Sequence, residues 1–451
     1  MTTAAAHKST LALPVVLLVA SLAMPPELSV MAGPLRLSPF RLLLMVLLIP
    51  MLIKALSSPK GVATDLFLIG HGAWACVSLA MTMGVGTAIE TGGVYVVETV
   101  GAYLVGRLYI KSFEDAVALA HLLLKTVTIL FCIAVVESLS GSHFIREIAS
   151  AVLGGPGPHH IDPRLGLSRA FTSFEHPILF GVFCASAFAN CYYLIDQAEL
   201  RFETIKHLGI IGGGTFLSLS GGPYTALIFQ IVLMAWDRIT YGFNGRWKLF
   251  IGLGLAAWTA LSLLSNRSPV LVFVSYLTFS AQSAYNRVHI FHYGTAEVGR
   301  HPLFGIGLND WVRAPWMSDS MDNYWLLTTV RYGLPALILL LATICMIARG
   351  LMAQAARHPR LKHAAKAWLT TFAGYLIAGL TVHFWNALMV QFFFFLGCGA
   401  AIARVALPSG ANQPVQKHPQ MAPSLQPAGA FRAAFQTKPQ KKGANYALGP
   451  R

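Results

Sequence analysis

The stretch from Arg287 to Pro335 reads RVHIFHYGTAEVGRHPLFGIGLNDWVRAPWMSDSMDNYWLLTTVRYGLP. It is polar, aromatic and glycine-bearing, and long apolar blocks lie on both sides of it. From Asp322 onward it opens a new apolar block and carries Arg331 into that block. A charge inside a membrane helix is costly unless it has a partner or a polar cavity. The stretch therefore predicts a membrane protein with a functional segment between two spans.

The composition of the whole chain supports a membrane protein with many spans. Hydrophobic residues make up 55% of the 451 residues and charged residues only 11%. A soluble domain carries about 25% charged residues. The first apolar block, Leu11 to Met24, lacks a clear small-residue cleavage site, so we interpret it as a retained span rather than a signal peptide.

Blocks of roughly 20 apolar residues, the length that crosses a bilayer as helix, predict the topology. The predicted fold is all-α, a polytopic integral membrane protein with about 12 transmembrane helices in residues 1–405 and a large external loop before the tenth. The spans are expected near 9–24, 38–55, 64–83, 91–109, 114–138, 177–195, 206–220, 222–240, 248–265, 324–348, 367–384 and 386–405. Residues 406–451 are rich in Pro, Gln, Ala and Lys, which predicts a disordered basic tail.

Basic residues set the predicted orientation. With both termini in the cytoplasm, 22 of the 33 basic residues lie on the cytoplasmic side, 10 lie outside and Lys125 lies within a span. The 129 residues after Asp322 hold 13 Lys or Arg and no acid. A basic tail at an anionic leaflet explains this bias better than nucleic acid binding, because no folded basic domain is available.

All ten external basic residues are arginine, although lysine supplies 13 of the 33. A guanidinium forms a planar fork that suits phosphate and carboxylate groups. One interpretation is an external site for an anionic substrate such as a lipid pyrophosphate. The alternative is that these arginines pack on aromatic rings and reach the lipid headgroups. The ten are Arg36, Arg41, Arg146, Arg164, Arg169, Arg267, Arg287, Arg300, Arg313 and Arg331.

Two external loops are predicted, at about 140–176 and 266–323. The second contains an apolar stretch, Pro269 to Phe279, of only 11 residues, which predicts an interfacial or buried helix. The first contains His159-His160 and Asp162, but their Gly and Pro neighbours give no ligand spacing. The six cysteines lie in apolar blocks without metal-ligand spacing, so we expect them to be core residues and expect no metal and no cofactor.

The sequence Glu175-His176-Pro177 precedes a predicted span, where proline suits the first helical turn. Glu175 or His176 at the membrane surface beside Arg169 is a candidate general base. The alternative is a capping and charge arrangement at the helix N-terminus.

Asp322 and Asn323 open the tenth predicted span, so helix capping alone explains their presence. Tyr324, Thr328 and Arg331 then follow with helical spacing, which places them on one polar face. Such a face in a membrane helix points to a cavity or a partner. Glu98, at comparable depth in the fourth span, is the expected counter-ion of Arg331, and a purely structural ion pair is the alternative to a substrate site.

Four elements in this order resemble the bacterial O-antigen ligase and polysaccharide polymerase superfamily, more narrowly its exopolysaccharide polymerase branch. They are the R…F…HP…G element from Arg169 to Gly181, Arg287 in the large external loop, His301-Pro302-Leu303-Phe304-Gly305-Ile306-Gly307, and Asp322-Asn323-Tyr324-Trp325-Leu326 followed by Arg331-Tyr332-Gly333. They cover the chain from about 160 to 340.

The resemblance implies a glycosyltransferase of the bacterial inner membrane that needs neither metal nor nucleotide sugar. Its donor would be an oligosaccharide on undecaprenyl pyrophosphate, transferred at the outer face with inversion. It implies substrate contacts for Arg169, Arg287, Arg331, Asn323 and His301. Membrane lipids and flippase, chain-length or export proteins are the further partners, and no nucleic acid is expected.

One position departs from the family pattern. The ligases carry histidine before the asparagine of the fourth element, and this chain has Asp322. Polymerisation of repeat units is therefore preferred over a ligase that moves glycan to a lipid or protein acceptor. Asp322 is the candidate base, with Glu175 and His176 as alternatives, because a carboxylate in a low-dielectric site can have a raised pKa. A non-enzymatic transporter of an anionic solute is the alternative outside the enzymes, although no inverted repeat is visible.

Overall fold

The computed structural model describes residues 11–405 apart from 34, 58–61, 156, 266–271 and 273–280. The predicted tail and nearly all of the apolar stretch Pro269 to Phe279 lie outside these residues. The described helices are α1 (Leu13–Leu22), α2 (Pro39–Leu56), α3 (Val62–Met83), α4 (Val85–Thr87), α5 (Gly93–Val96), α6 (Ala102–Tyr109), α7 (Phe113–Ser140), α8 (Phe144–Leu153), α9 (Pro177–Asn190), α10 (Phe202–Leu217), α11 (Gly221–Ile239), α12 (Arg246–Leu264), α13 (Ala281–Arg300), α14 (Tyr324–Arg357), α15 (Leu361–Ala378) and α16 (Asn386–Ile402).

Short irregular helices and one small hairpin complete the regular structure of the described residues. π-helical segments run over Ala88–Gly92, Val97–Gly101 and Cys191–Ile195, and a 3₁₀ turn covers Pro26–Leu28. Strands β1 (Val30–Ala32) and β2 (Leu35–Leu37) pair antiparallel, with Met31 opposite Arg36. The protein is therefore all-α apart from this hairpin.

Six described helical segments are long and apolar enough to cross a membrane. They are Pro39–Leu56, Ala63–Met83, Phe113–Ser140, Pro177–Ile195, Arg246–Leu264 and Tyr324–Arg357. Helices also form at the other predicted spans, namely α1, α5, α6, α10, α11, α15 and α16. The membrane location is thus supported by these helices, whereas the count of twelve spans stays a prediction.

The outward faces of these helices are apolar, which fits a hydrocarbon environment. On α2, Val46 and Ile49 are 75% and 68% exposed, and no residue of α12 is buried. A water-soluble protein rarely exposes apolar surface on this scale. In contrast, α9 and α16 are buried along nearly their whole length and form the centre of the core.

The helix starts follow the sequence signals. The side chain of His176 caps α9 ahead of Pro177, and the side chain of Asn323 caps α14. Helix α7 begins with a capping box between Ser112 and Asp115. Capping satisfies backbone N–H groups that have no partner within the helix. Helices α9 and α14 therefore begin at fixed positions, and both starts lie at the cavity described next.

Candidate functional site

A buried carboxylate organises the loop that carries Arg169. Glu137, near the end of α7, accepts the backbone N–H of Phe171 at 3.2 Å and of Thr172 at 2.8 Å. Thr172 has φ +52°, a left-handed conformation that turns the chain sharply. The two hydrogen bonds to the Glu137 carboxylate therefore fix the start of the R…F…HP…G element.

The turn between α10 and α11 provides the partners of two arginines. Arg169 donates from Nη2 to the hydroxyl of Ser220 at 2.7 Å and from Nε to the carbonyl oxygen of Ser218 at 3.5 Å. Arg164 donates to the carbonyl oxygen of Leu219 at 2.8 Å. The two guanidinium groups are thereby held side by side against one turn.

Gly181 lets helix α9 contact this same turn. A Cβ atom at Gly181 would clash with the hydroxyl of Ser218 and lie 2.7 Å from Pro223 Cβ. Only glycine permits this approach. The glycine of the R…F…HP…G element is thus explained by helix packing behind the two arginines.

Arg287 enters the site from helix α13. Its helix packs on α14 through an apolar cluster that contains Ile290 and Leu326. The Nε atom of Arg287 is buried and has no hydrogen-bond partner in the described part of the chain. Burial lowers the pKa of Arg287 and the charge of Arg164 lowers it further, while Asp322 acts in the opposite direction. A buried donor without a partner is unfavourable, and the residue lines the cavity described below.

Asp322 and Asn323 have separate roles at the start of α14. The side-chain oxygen of Asn323 accepts the N–H of Leu326 at 3.0 Å, so this residue caps the helix rather than facing a substrate. Asp322 accepts the hydroxyl of Ser320 at 2.9 Å. Among the described residues, no cationic nitrogen lies within 4.0 Å of the Asp322 carboxylate. Asp322 therefore keeps an unpaired carboxylate oxygen.

These side chains line a single cavity of about 580 Å³, which we name the central cavity. Four residues selected from the sequence face it: Arg169, His176, Arg287 and Asp322. The other lining residues are Arg164, Ile178, Ser220, Gly221, Gly222, Ser320, His383 and Trp385. The structure thus brings together residues that are up to 221 positions apart in the chain, from Arg164 to Trp385.

The central cavity carries an excess of positive charge. Burial, followed by the nearby charge of Arg164, lowers the pKa of Arg169 to about 10, so Arg169 stays charged at neutral pH. Three guanidinium groups then face one carboxylate, that of Asp322. Such a cavity favours a ligand with two or more negative charges.

His176 is a neutral hydrogen-bond donor in this cavity. Burial, and then the charges of Arg169, His159 and Arg164, lower the pKa of His176 to about 4. Its Nδ1 accepts the backbone N–H of Ile178 at 3.1 Å. The ring proton of the neutral form is therefore on Nε2. In this tautomer His176 donates a hydrogen bond and is poorly suited to act as a base.

Glu175 lies outside the central cavity. Its carboxylate pairs with Arg36 at 3.3 Å and accepts the amide of Asn386 at 2.5 Å, beside a separate small cavity. Of the three candidate bases, Asp322 alone combines an unpaired oxygen with a place in the central cavity.

Arg331 lies at a break in helix α14. Gly333 has φ +79°, and Pro335 has no N–H to donate to the carbonyl oxygen of Arg331. That oxygen accepts instead the N–H of Gly307 at 3.0 Å and the hydroxyl of Ser78 at 3.2 Å. The break therefore has its own hydrogen-bond partners and holds Arg331 in place.

The His301–Gly307 element packs into this break. The N–H of Ile306 is donated to the carbonyl oxygen of Val330 at 2.8 Å. His301 itself is half exposed, with Nε2 at 3.6 Å from the carboxylate of Glu297. The element positions the helix, and His301, for which a substrate contact is expected, is not among the residues that line the central cavity.

Arg331 lines two further cavities beside the central one. The Tyr324 cavity, of about 300 Å³, is also lined by Thr328, as expected from the polar face of α14. The Trp311 cavity, of about 410 Å³, includes Asp310 and Asp319. His383 lines all three cavities. The three candidate pyrophosphate arginines thus divide between adjacent cavities, with Arg169 and Arg287 in the central cavity and Arg331 beside it.

The expected ion pair between Glu98 and Arg331 is wrong. Glu98 accepts from Arg41 instead, at 2.9 Å from Nε and 2.5 Å from Nη2. Arg41 lies in the first turn of α2, before its apolar part, and its side chain pairs with the Glu98 carboxylate. The position of Glu98 along its own span does not indicate this contact. Arg331 is left without a carboxylate within 4.0 Å in the described part of the chain.

The external arginines fall into two groups. Five pair with a carboxylate: Arg36, Arg41, Arg146, Arg300 and Arg313. Arg267 lies outside the described residues. Arg169, Arg287 and Arg331 have no carboxylate within 4.0 Å among the described residues. Arg164 donates to the carbonyl oxygen of Leu219. Arg146 and Arg313 also lie over aromatic rings, as the structural alternative expects, and the anionic-substrate interpretation stays a prediction.

Sequence reasoning missed His383, Ser220 and the site role of Arg164. The signal at His383 was the polar and aromatic run His383-Phe384-Trp385-Asn386, which covers the junction of the last two predicted spans. Ser220 lies in a turn that the sequence marks only as a boundary. Their roles depend on the packing of distant helices, which sequence spacing does not give.

The arrangement can bind a polyanion, donate hydrogen bonds to it and accept a proton. Arg164, Arg169 and Arg287 supply charge, His176 a donor, and Asp322 an acceptor. The pair His160 and Asp162, 3.8 Å apart, is exposed and is not among the residues that line the central cavity. No protein-family model and no curated protein matches this chain.

Proposed function

We propose that this protein polymerises oligosaccharide repeat units carried on undecaprenyl pyrophosphate into an exported polysaccharide. The observation that carries the proposal is the central cavity, where Arg164, Arg169 and Arg287 face the carboxylate of Asp322. A lipid pyrophosphate is a polyanion presented at a membrane surface, and guanidinium forks match its oxygens. The resemblance to polysaccharide polymerases, drawn from the sequence, points to the same substrate.

In the proposed reaction, Asp322 takes the proton of an acceptor hydroxyl. The acceptor oxygen forms a bond to the anomeric carbon of the donor sugar as the bond from that carbon to the pyrophosphate oxygen breaks. The electron pair leaves with the pyrophosphate, whose charge is stabilised by Arg169 and Arg287. Attack from the side opposite the leaving group inverts the anomeric centre.

The neighbouring residues fit supporting roles. His176 presents Nε2–H toward the cavity and is a donor for a pyrophosphate oxygen. Arg331, beside the central cavity, extends the positive surface toward the Tyr324 cavity. Ser220 fixes Arg169 and Ser320 donates to Asp322, so both act by positioning a charged group.

The proposal includes the topology. We place the chain in a bacterial inner membrane with twelve spans, both termini in the cytoplasm, and the loops 140–176 and 266–323 outside. The 22-to-10 division of basic residues supports this orientation. It puts the central cavity on the face where flipped lipid-linked repeat units arrive.

A deletion strain tests the function. The proposal predicts loss of long polymer, with single repeat units left on the lipid carrier. Long glycan that accumulates on the lipid carrier and is not transferred would identify a ligase instead. Unchanged surface polysaccharide together with altered uptake or export of a small anion would identify a transporter. Complementation with the wild-type gene, and separately with an Arg287→Lys variant, links the phenotype to the cavity.

A further inference from the structure

A second cluster of reactive side chains lies at the end of α9 opposite His176. Cys191, Asp196 and His207 each offer one atom that can bind a metal ion, and these three atoms all lie within 4.8 Å of one another. Cys191 is buried, while the side chains of Asp196 and His207 are 9% and 22% exposed. The cluster is therefore enclosed by protein and open to solvent on the side of the imidazole.

The distances within the cluster match tetrahedral coordination. Cys191 Sγ and His207 Nδ1 each lie 3.5 Å from the same oxygen, Asp196 Oδ2. Ligand atoms around a tetrahedral zinc ion lie about 3.3 to 3.5 Å apart, given bond lengths of about 2.0 Å to nitrogen and oxygen and 2.3 Å to sulfur. Two of the three separations thus already have the values that an ion would require.

The backbone is strained in the turn that forms this cluster. Gln197 and Ala198 have φ +50° and +62°, two consecutive non-glycine residues in the left-handed region. Two backbone hydrogen bonds fix the turn. The N–H of Asp196 donates to the carbonyl oxygen of Cys191 at 3.1 Å, and the N–H of Ala198 donates to the carbonyl oxygen of Tyr192 at 2.8 Å. Such strain is unfavourable and concentrates at functional sites. Here it folds Asp196 back onto Cys191.

We propose that Cys191, Asp196 and His207 bind a Zn²⁺ ion. A thiolate, an imidazole and a carboxylate form a mixed set that suits zinc, whereas Mg²⁺ and Ca²⁺ prefer oxygen alone. Binding releases the thiol proton of Cys191 to solvent, and the two negative ligands then balance the charge of the ion. Water fills the fourth position on the solvent side.

The ion has a structural consequence for the central cavity. It joins the end of α9 to the start of α10, because Cys191 follows α9 and His207 lies in the second turn of α10. The opposite ends of these helices carry His176 and the turn at Ser218. Zinc at one face of the membrane therefore fixes the two helices that form a wall of the cavity at the other. The site does not depend on the reaction proposed above.

Cobalt and zinc binding to purified full-length protein tests the proposal. The protein is prepared without a polyhistidine tag, in a His159→Gln/His160→Gln background that removes the exposed histidine pair. We expect one Co²⁺ per chain, with sulfur-to-metal charge-transfer and tetrahedral ligand-field absorption, displaced by Zn²⁺. Cys191→Ser and His207→Gln should each weaken binding on the order of 100-fold or more, beyond the 10–100-fold effect of outer-shell changes. Cys345→Ser, at an exposed cysteine of α14, is the matched control and should leave binding unchanged.

A second measurement needs no variant at the site. Zinc X-ray absorption of the wild-type protein should show one sulfur and two or three nitrogen or oxygen ligands around the ion. Absence of stoichiometric metal in this protein, or binding that survives both Cys191→Ser and His207→Gln, would overturn the proposal. A zinc ligand shell without sulfur in the wild-type protein would overturn it as well, even if the variants fail to fold.

Discussion

The carbonyl oxygen of Pro302 accepts the backbone N–H of Leu334 at 2.8 Å. This hydrogen bond joins the glycine-bent loop after α13 to the break in α14. Leu334 would otherwise donate to Val330, whose oxygen is taken by Ile306. The N–H of Leu334 and the carbonyl oxygen of Val330 therefore both have hydrogen-bond partners. These bonds hold Arg331 where the cavities meet.

Gly333→Ala should destabilise the protein and abolish activity. Gly333 has φ +79°, and an added Cβ would clash with the carbonyl oxygen of Leu303. The strain is of order 1–3 kcal/mol before the clash is counted. Thermal unfolding in detergent measures the loss. Gly299→Ala, at a helical glycine with open space around it, is the control and should not lower the midpoint.

The sequence predicts the local features of this region and fails on its long-range contacts. Asn323 and His176 begin helices as their neighbours indicate, because capping depends on residues a few positions apart. The polar face of Tyr324, Thr328 and Arg331 does line a cavity, since helical spacing fixes which side chains share a face.

Partner choice was not predictable in the same way. Arg41 rather than Arg331 pairs with Glu98, and Ser220 rather than an acid holds Arg169. Each contact joins helices far apart in the chain, so its existence depends on how the helices pack. The position of His383 between three cavities has the same origin.

Arg287→Lys should lower polymer formation on the order of tenfold or more while the protein still accumulates. Lysine keeps the charge and loses the planar fork, so it cannot bind two pyrophosphate oxygens in the same geometry. Arg300→Lys is the matched control on the same helix, because Arg300 pairs with Glu297 away from the cavity. Polymer yield per unit of membrane protein is the measurement. Equal yields from both variants would assign Arg287 a structural role.

His176→Asn should change the acid stability of the protein. The pKa of His176 is lowered from 6.5 to about 4, so the unfolded chain binds its proton more readily than the folded one. The stability that the neutral ring provides is present above pH 6.5 and is lost as pH falls toward 4, on the order of 3 kcal/mol in all. Asparagine can still cap α9 but does not titrate.

Thermal unfolding between pH 7 and pH 4 measures this effect. The midpoint of the wild type should fall more steeply with acid than that of His176→Asn. His160→Asn, at an exposed imidazole, is the control and should follow the wild type. Parallel curves for the wild type and the His176 variant would show that this ring is not the titrating group.

Cysteine labelling tests the topology. In a cysteine-free background, an impermeant thiol reagent should label Ser318→Cys and Ser142→Cys in intact spheroplasts, because both lie in predicted external loops. Ala356→Cys, at the end of α14, should react only after the membrane is opened. Labelling of Ala356→Cys alone in intact spheroplasts would reverse the orientation and remove the cavity from the outer face.

The most direct test of the proposed reaction is the rate at which purified Asp322→Asn forms polymer from lipid-linked repeat units in nanodiscs. Asparagine keeps the size of Asp322 but cannot take a proton, so the rate should fall on the order of 10²-fold or more, with little change in unfolding temperature. Asp322→His should recover part of the activity, and Glu203→Gln, at an exposed carboxylate in the first turn of α10, should match the wild type. A wild-type rate for Asp322→Asn at equal protein levels would contradict the role of Asp322 as the base.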